Sequence, residues 1–325
     1  MIFAHKSVLL NECIDGLNIK PNGIYVDCTA GGGGHSAEIL KKLNGGLLID
    51  VDKDLEALAV CQQRFDGQNV KFVHSDFKNL PDILRQLNID KVDGILADLG
   101  VSSYQIDNAE RGFSYMASDA MLDMRMDATQ TLTAETIVNT YDEHKLFTII
   151  RDYGEDNFAK NIAKNIVIER QKAPIETCGQ LVAIIEKSIP LAVRKKGGHP
   201  AKRTFQALRV EVNKELDGLE EFLHNAVDLL NPDGRIAVIT FHSLEDRIVK
   251  HAFSDLATDC ICPPNLPICV CNHRAKGFCV NKKPILPSEE ELKSNSRSQS
   301  AKLRVFQKKV KEAQLCNTAS INNHK

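Results

Sequence analysis

The stretch Ile24-Tyr25-Val26-Asp27-Cys28-Thr29-Ala30-Gly31-Gly32-Gly33-Gly34-His35-Ser36 decides the fold class. It opens as a buried strand, passes through four glycines, and continues into Ala37, Ile39, Leu40 and Leu43 at helical spacing. Strand, glycines, helix is how an open α/β sheet presents backbone N–H groups to a nucleotide-like ligand. Glycine takes φ > 0 and has no side chain to hold a ligand off the backbone. A glycine run alone reads equally well as a flexible turn, so the neighbouring segments must decide.

Outward from that stretch, strand candidates Ile24–Asp27, Leu47–Val51, Val70–His74 and Val92–Asp98 alternate with helical patterns such as Leu55, Leu58, Ala59, Cys61, Gln62 and Phe65. This alternation implies a parallel sheet covered on both faces. Residues 99–131 show no clear period and read as a long functional loop. From Thr133 to Lys196 the pattern is only helical, punctuated by Pro174 and Pro190. The α/β pattern then resumes. A helix runs from Leu208 to Leu230, a turn covers Asn231–Gly234, a strand covers 236–241, and a helix follows from Leu244. A late strand candidate is Ala301–Phe306. The reading is an all-helical domain inserted into an α/β domain.

The 325 residues are 43% hydrophobic, enough for an ordinary core. No apolar run approaches ~18 residues, so no spanning helix and no membrane partner are expected. Met1-Ile2-Phe3-Ala4-His5-Lys6 lacks the features of a signal peptide, and a cytoplasmic protein is expected. The net charge of −2 hides an asymmetry. Arg194–Lys214 holds seven Lys/Arg against one Glu, and Asn272–Lys311 eleven against three, leaving the rest strongly acidic. Basic segments on an acidic protein suggest a polyanion such as nucleic acid. Of ten cysteines, Cys13, Cys28, Cys61 and Cys178 lie among apolar residues and read as reduced core thiols. Cys260, Cys262, Cys269, Cys271 and Cys279 cluster, but structural zinc sites usually use C-x₂₋₄-C spacing. They are read as thiols in a proline-rich loop and no metal site is assigned; structural zinc, with His273 as a possible further ligand, is the alternative left open.

The dinucleotide fingerprint G-x-G-x-x-G is imperfect: the frame from Gly31 ends in Ser36 and that from Gly32 in Ala37. An NAD enzyme is thereby disfavoured. Asp52, at the end of the second strand, stands where a carboxylate accepts ribose hydroxyls. Ser75-Asp76-Phe77 after the third strand and Asp98-Leu99-Gly100-Val101-Ser102-Ser103 after the fourth favour S-adenosylmethionine. Ser243 with Asp246 reads as a helix cap, while His242 has the alternative of touching a substrate base.

These segments resemble the RsmH (MraW) family of 16S rRNA cytosine-N4 methyltransferases. The glycine loop with His35-Ser36, Asp98–Ser103, Arg111-Gly112-Phe113-Ser114 and Leu122-Asp123-Met124-Arg125-Met126-Asp127 carry the resemblance. So do His199-Pro200-Ala201, Arg203–Arg209 and Phe241–Lys250. Tyr104 and Met121 stand where that family often has proline. The resemblance implies a Rossmann-like class I methyltransferase sheet over 1–110 and 200–311. It implies an inserted helical substrate-recognition domain over 111–199, with 312–325 as a disordered tail. Cofactor contacts carried over by position are Gly33, Gly34, His35, Asp52, Phe77, Asp98 and Gln105. The implied partner is 16S rRNA within the small subunit, at the decoding centre (P site). Oligomeric state is open, a dimer included. The rival reading is a non-catalytic assembly factor on the same scaffold.

Methyl transfer to a cytosine N4 needs an acceptor for N4–H, and Asp98 is the expected catalytic residue. The prolines and aromatic common after the fourth strand of amino-methyltransferases are missing, so Phe113, Tyr115 and Phe241 are candidates for stacking on the base. Arg111, Arg125, Arg194, Lys195, Lys196, Lys202, Arg203 and Arg209 are candidates for phosphate, with internal salt bridges as the competing role for Arg111 and Arg125. Gly33→Val is expected to abolish cofactor binding by bulk and to leave the fold largely intact.

Overall fold

Seven strands form one sheet: β1 (Ile24–Asp27), β2 (Leu47–Asp52), β3 (Val70–His74), β4 (Val92–Asp98), β5 (Leu230–Thr240), β6 (Gly277–Cys279) and β7 (Lys302–Lys308). The computed structural model describes residues 7–310 except 196, 197, 264, 265, 267, 269 and 272. Lys196, Cys269 and the 312–325 tail therefore lie outside the described residues. Strand order is β3-β2-β1-β4-β5-β7-β6. The first five strands are parallel, and β7 runs antiparallel between β5 and β6. This is the expected Rossmann-like sheet. β6 was not anticipated, being only three residues long. The expected turn at Asn231–Gly234 is absorbed into β5, where Asp233 takes φ 63 and the register with β4 shifts between Val92 and Gly94.

The inner strands β1, β2 and β4 are buried almost throughout because both faces are covered. Helices α1 (Leu10–Leu17) and α2 (Gly34–Lys42) pack Cys13, Leu17 and Ile39 against Tyr25, Leu48 and Leu96. Helix α3 (Leu55–Arg64) brings Cys61, with Phe65 just beyond it, under Ala30 of the glycine loop. Helix α4 (Leu80–Gln86) joins the opposite layer, which packs on Val26, Ile49, Val51, Ile95 and Ala97.

The segment 99–131 is not the open loop the sequence suggests. It holds α5 (Ser103–Asp107) and a 3₁₀ turn, Ala109–Arg111. Phe113, Leu122, Met124 and Met126 then enter a second core built by α6 (Ala134–Thr140), α7 (Glu143–Asp152), α8 (Ala159–Arg170) and α9 (Cys178–Ser188). A short helix, α10 (Leu191–Arg194), follows. Helix α11 (Lys202–Asn213) also packs in this core through Phe205, Leu208 and Val212. Helices α12 (Leu219–Leu229) and α13 (Ser243–Leu256) return to the sheet, and α14 (Glu289–Ser294) precedes β7. Among the described residues, no helix is long and apolar enough to cross a membrane. Asp27, Asp52, His74, Asp98 and Thr240 end the five parallel strands and share one edge.

Candidate active site

The glycine loop is fastened to the end of β2. Gly31 N–H donates to Asp52 at 2.8 Å, and Asp52 also accepts the Asp54 N–H at 2.8 Å. Burial raises the Asp52 pKa to about 6. The glycines are not equivalent. A Cβ at Gly32 would meet nothing within 4 Å. Gly33 has φ 72, and its Cβ would lie 2.8 Å from the Phe65 ring; a Cβ at Gly34 would collide with Ser7 Oγ. Bulk at Gly33 therefore strikes α3 and its neighbours before any ligand, so Gly33→Val would disturb the fold, contrary to expectation. Gly32 is the glycine whose missing side chain leaves open space.

Beneath the loop lies a buried acidic group. Ser36 Oγ sits 2.8 Å from Asp27 Oδ2 and 2.9 Å from Asp50 Oδ1. One hydroxyl carries one proton and cannot donate to both. Burial lifts Asp27 to about 6; burial and the Asp27 charge lift Asp50 to about 8. Asp50 thus holds its proton at neutral pH and donates to Ser36, which donates to Asp27. His35 Nε2 donates to the Val8 carbonyl at 3.1 Å, and burial lowers its pKa to about 4. Its Nδ1 lies 3.7 Å from Asp98 Oδ2, but a neutral ring makes no ion pair there. Asp98 is pushed well above the usual carboxylate range by burial and by the Asp27 and Glu245 charges. Its Oδ1 is buried without a hydrogen-bond partner.

On the β5 side, Leu99 N–H bonds the Ile239 carbonyl, which sets Gly100 beside Phe241. Gly100 has φ 98; a Cβ there would lie 3.6 Å from Phe241 and 4.0 Å from an Arg209 nitrogen. Arg209 makes a bidentate pair with Glu215 at 2.9 and 2.8 Å. The cap of α13 is His242, not Ser243. His242 Nδ1 accepts the Glu245 N–H at 3.4 Å, while Glu245 Oε2 accepts the N–H groups of Phe241 and His242. Nε2 therefore carries the ring proton. It lies 3.2 Å from Glu245 Oε1 but off hydrogen-bonding alignment, and it is buried and unpartnered. Burial works to raise the Glu245 pKa, but His242 and Arg209 outweigh it and hold the carboxyl below its usual range. Asp246, the expected capping partner, instead pairs with Lys302 and Arg304 of β7 at 2.9 and 2.8 Å. Sequence reasoning missed Glu215 and Glu245; their signal was their spacing from Arg209 and His242.

A family model, the MraW methylase family, matches residues 2–309. The chain belongs to the MraW methylase family. It is 57% identical to the ribosomal RNA small subunit methyltransferase H of Clostridioides difficile (strain 630), over 95% of this chain and 100% of that one. Proteins of the same name from Lachnospira eligens and Clostridium botulinum (strain Kyoto / Type A2) are each 56% identical over 95% of this chain, with 98% and 100% of their own lengths covered. The chain is an S-adenosylmethionine-dependent methyltransferase on a class I sheet. The donor set fits that cofactor: the Asp52 carboxylate at the end of β2 bonded to the glycine loop, open space at Gly32 and an unpartnered acceptor on Asp98.

The other expected members of this MraW-family site are placed as follows. Phe77 sits after β3 and packs edge-on against Phe222 at 4.7 Å. Gln105 is buried: its carbonyl accepts Ser102 N–H, and its amide donates to Asp54 at 2.7 Å. It ties α5 to the start of α3, next to Asp52. Phe113 is buried in the helical core and is not available for stacking. Tyr115 already stacks on His199, with centroids 4.4 Å apart. Phe241 remains the half-buried aromatic next to Gly100.

Most of the expected phosphate ligands are engaged internally. Arg111 pairs with Asp54 and Glu56 at 3.0 Å each and donates to the Arg125 and Met126 carbonyls. Its partners are not the expected neighbours Glu110, Asp123 and Asp127. Arg125 pairs with Asp123 at 2.7 Å and donates to the Ala128 and Gln130 carbonyls. Arg203 donates to the Glu155 carbonyl, and Arg194 lies 3.7 Å from Glu186. Lys195 and Lys202 are exposed.

Proposed function

We propose that this methyltransferase acts on the exocyclic N4 amine of a cytosine in 16S rRNA, at the decoding centre (P site) of the small subunit. The observation that carries the chemistry is Asp98 Oδ1, buried at the end of β4 with no partner. S-adenosylmethionine supplies an electrophilic methyl on a sulfonium. The N4 lone pair is delocalised into the ring, so the amine attacks weakly unless oriented. Asp98 accepts an N4–H bond, fixes the lone pair, and takes the proton released on transfer. Phe241 supplies the stacking face, and the His242 Nε2–H and Arg209 guanidinium flank it as donors for the ring's acceptor atoms.

In this proposal Asp52 accepts the ribose hydroxyls, with Phe77 beside the adenine. Gly33, Gly34 and Gln105 hold the walls through packing and hydrogen bonds, and His35 keeps a neutral ring next to Asp98. We place the helical unit from residue 111 through the end of α11, since α11 packs in its core. Action on rRNA implies cytoplasmic residence. The names of the relatives support the rRNA target, and the intact Asp52 and Asp98 disfavour a non-catalytic assembly factor. Mass spectrometry of small-subunit rRNA from cells with and without the protein tests the whole reading. N4-methylcytosine disappears in its absence; unchanged methylcytosine refutes the assignment.

A further inference from the structure

Between α13 and β6 the chain makes an excursion that no part of the methyltransferase chemistry uses. Its two ends meet: Lys276 N–H bonds the Leu256 carbonyl at 2.8 Å, and Ala275 N–H bonds Asp259 at 3.1 Å. Inside it the sulfurs of Cys260, Cys262 and Cys271 lie within 4.8 Å of one another. The Cys271 and Cys260 sulfurs are 3.8 Å apart. A disulfide needs about 2.05 Å. Two corners of a tetrahedron around zinc, each with a Zn–S bond of about 2.3 Å, stand about 3.8 Å apart.

The backbone is arranged for thiolates. Cys262 N–H points at Cys260 Sγ and Val270 N–H at Cys262 Sγ, both at 3.4 Å. An amide aimed at sulfur stabilises its negative form. Among its described residues the large apolar side chains face out: Ile261, Ile268 and Val270 are 65%, 75% and 72% exposed. Small segments without a core are held by disulfides or metal instead.

We propose that Cys260, Cys262 and Cys271 bind one zinc ion that fixes this excursion, where the sequence reading assigned no metal. Three thiols bind as thiolates and release three protons to solvent. Cys260 is exposed, so a fourth donor reaches the remaining corner from solvent or from the segment itself.

The test is metal analysis of the full chain purified without chelators. We expect about one zinc per chain, falling below about a tenth in Cys260→Ser and Cys271→Ser. Cys279→Ser, whose thiol lies outside the trio, keeps its zinc. Substitution with cobalt gives the tetrahedral spectrum with sulfur charge-transfer bands, whatever the fourth donor. Zinc-free wild-type protein that takes up none on addition, a disulfide within the trio, iron in place of zinc, an octahedral cobalt spectrum, or equal zinc loss in Cys279→Ser would each overturn the proposal. Transfer activity and melting temperature, recorded for the same variants, separate loss of metal from loss of fold.

Discussion

The carboxyl edge of the sheet and the 99–131 segment are both rich in charge, yet they treat it in opposite ways. At the sheet edge, polar atoms are buried and left wanting: Asp98 Oδ1 and His242 Nε2 have no partner. In the 99–131 segment the arginines are saturated. Arg111 holds two carboxylates and two carbonyls; Arg125 holds one carboxylate and two carbonyls. An unsatisfied buried polar atom costs free energy and persists where a ligand completes it. A saturated one is scaffold. The difference separates open polar atoms at the sheet edge from arginines whose bonding capacity is already used.

Removing scaffold charge should have the largest effect on stability. Arg111→Ala leaves Asp54 buried and uncompensated, so we expect a loss of about 3 kcal/mol or more in urea unfolding. The salt dependence of RNA binding stays unchanged. A normal midpoint together with a shallower salt slope would make Arg111 a phosphate ligand after all.

On the other side, Asp98→Asn should leave unfolding nearly unchanged but slow transfer ~100-fold, about 2.7 kcal/mol of barrier. Single-turnover kinetics at saturating cofactor read this directly. Normal turnover would remove Asp98 from the reaction.

The acids beneath the glycines offer a third lever through pH. Burial raises Asp50 to about 8, so the folded state binds a proton that the unfolded state has lost. Its stabilising contribution is complete below about pH 4 and is lost as pH rises toward 8. Asp50→Asn should therefore flatten the fall in stability between pH 6 and 9 by about 2–3 kcal/mol, measured by urea titration at each pH. An unchanged slope would mean that the Asp27–Ser36–Asp50 group holds no shared proton.

The smallest effect is expected at Gly32. Gly32→Ala should shift stability by less than about 0.5 kcal/mol, because nothing stands near its Cβ. It should still weaken cofactor binding in calorimetry, whereas Gly33→Ala should cost stability. Equal destabilisation by both would erase the distinction between the open and packed glycines.

The sheet was legible because its signals are local. β3 and β4 carry the expected bounds, and the glycine loop follows β1 directly. What sequence missed was partnership across long separations. Arg111 finds Asp54 and Glu56, more than fifty residues back, in preference to the acids beside it. Phe113 is drawn into the helical core because apolar burial outweighs any surface role. The α13 cap fell to His242 because Glu245, not Asp246, stands three residues on, and Asp246 is claimed by β7. C-x-C spacing left zinc as an alternative only, because it does not say which of the five sulfurs converge.

β7 is made last among the strands yet lies inside the sheet, between β5 and β6. During synthesis, then, one side of β5 stays an open edge until residues 302–308 have left the ribosome. An open edge is a template for wrong pairing. Lys302 and Arg304, which hold Asp246 beside the α13 cap, arrive with the strand that closes it. The strand that closes β5 thus also completes the ion pairs that steady the start of α13.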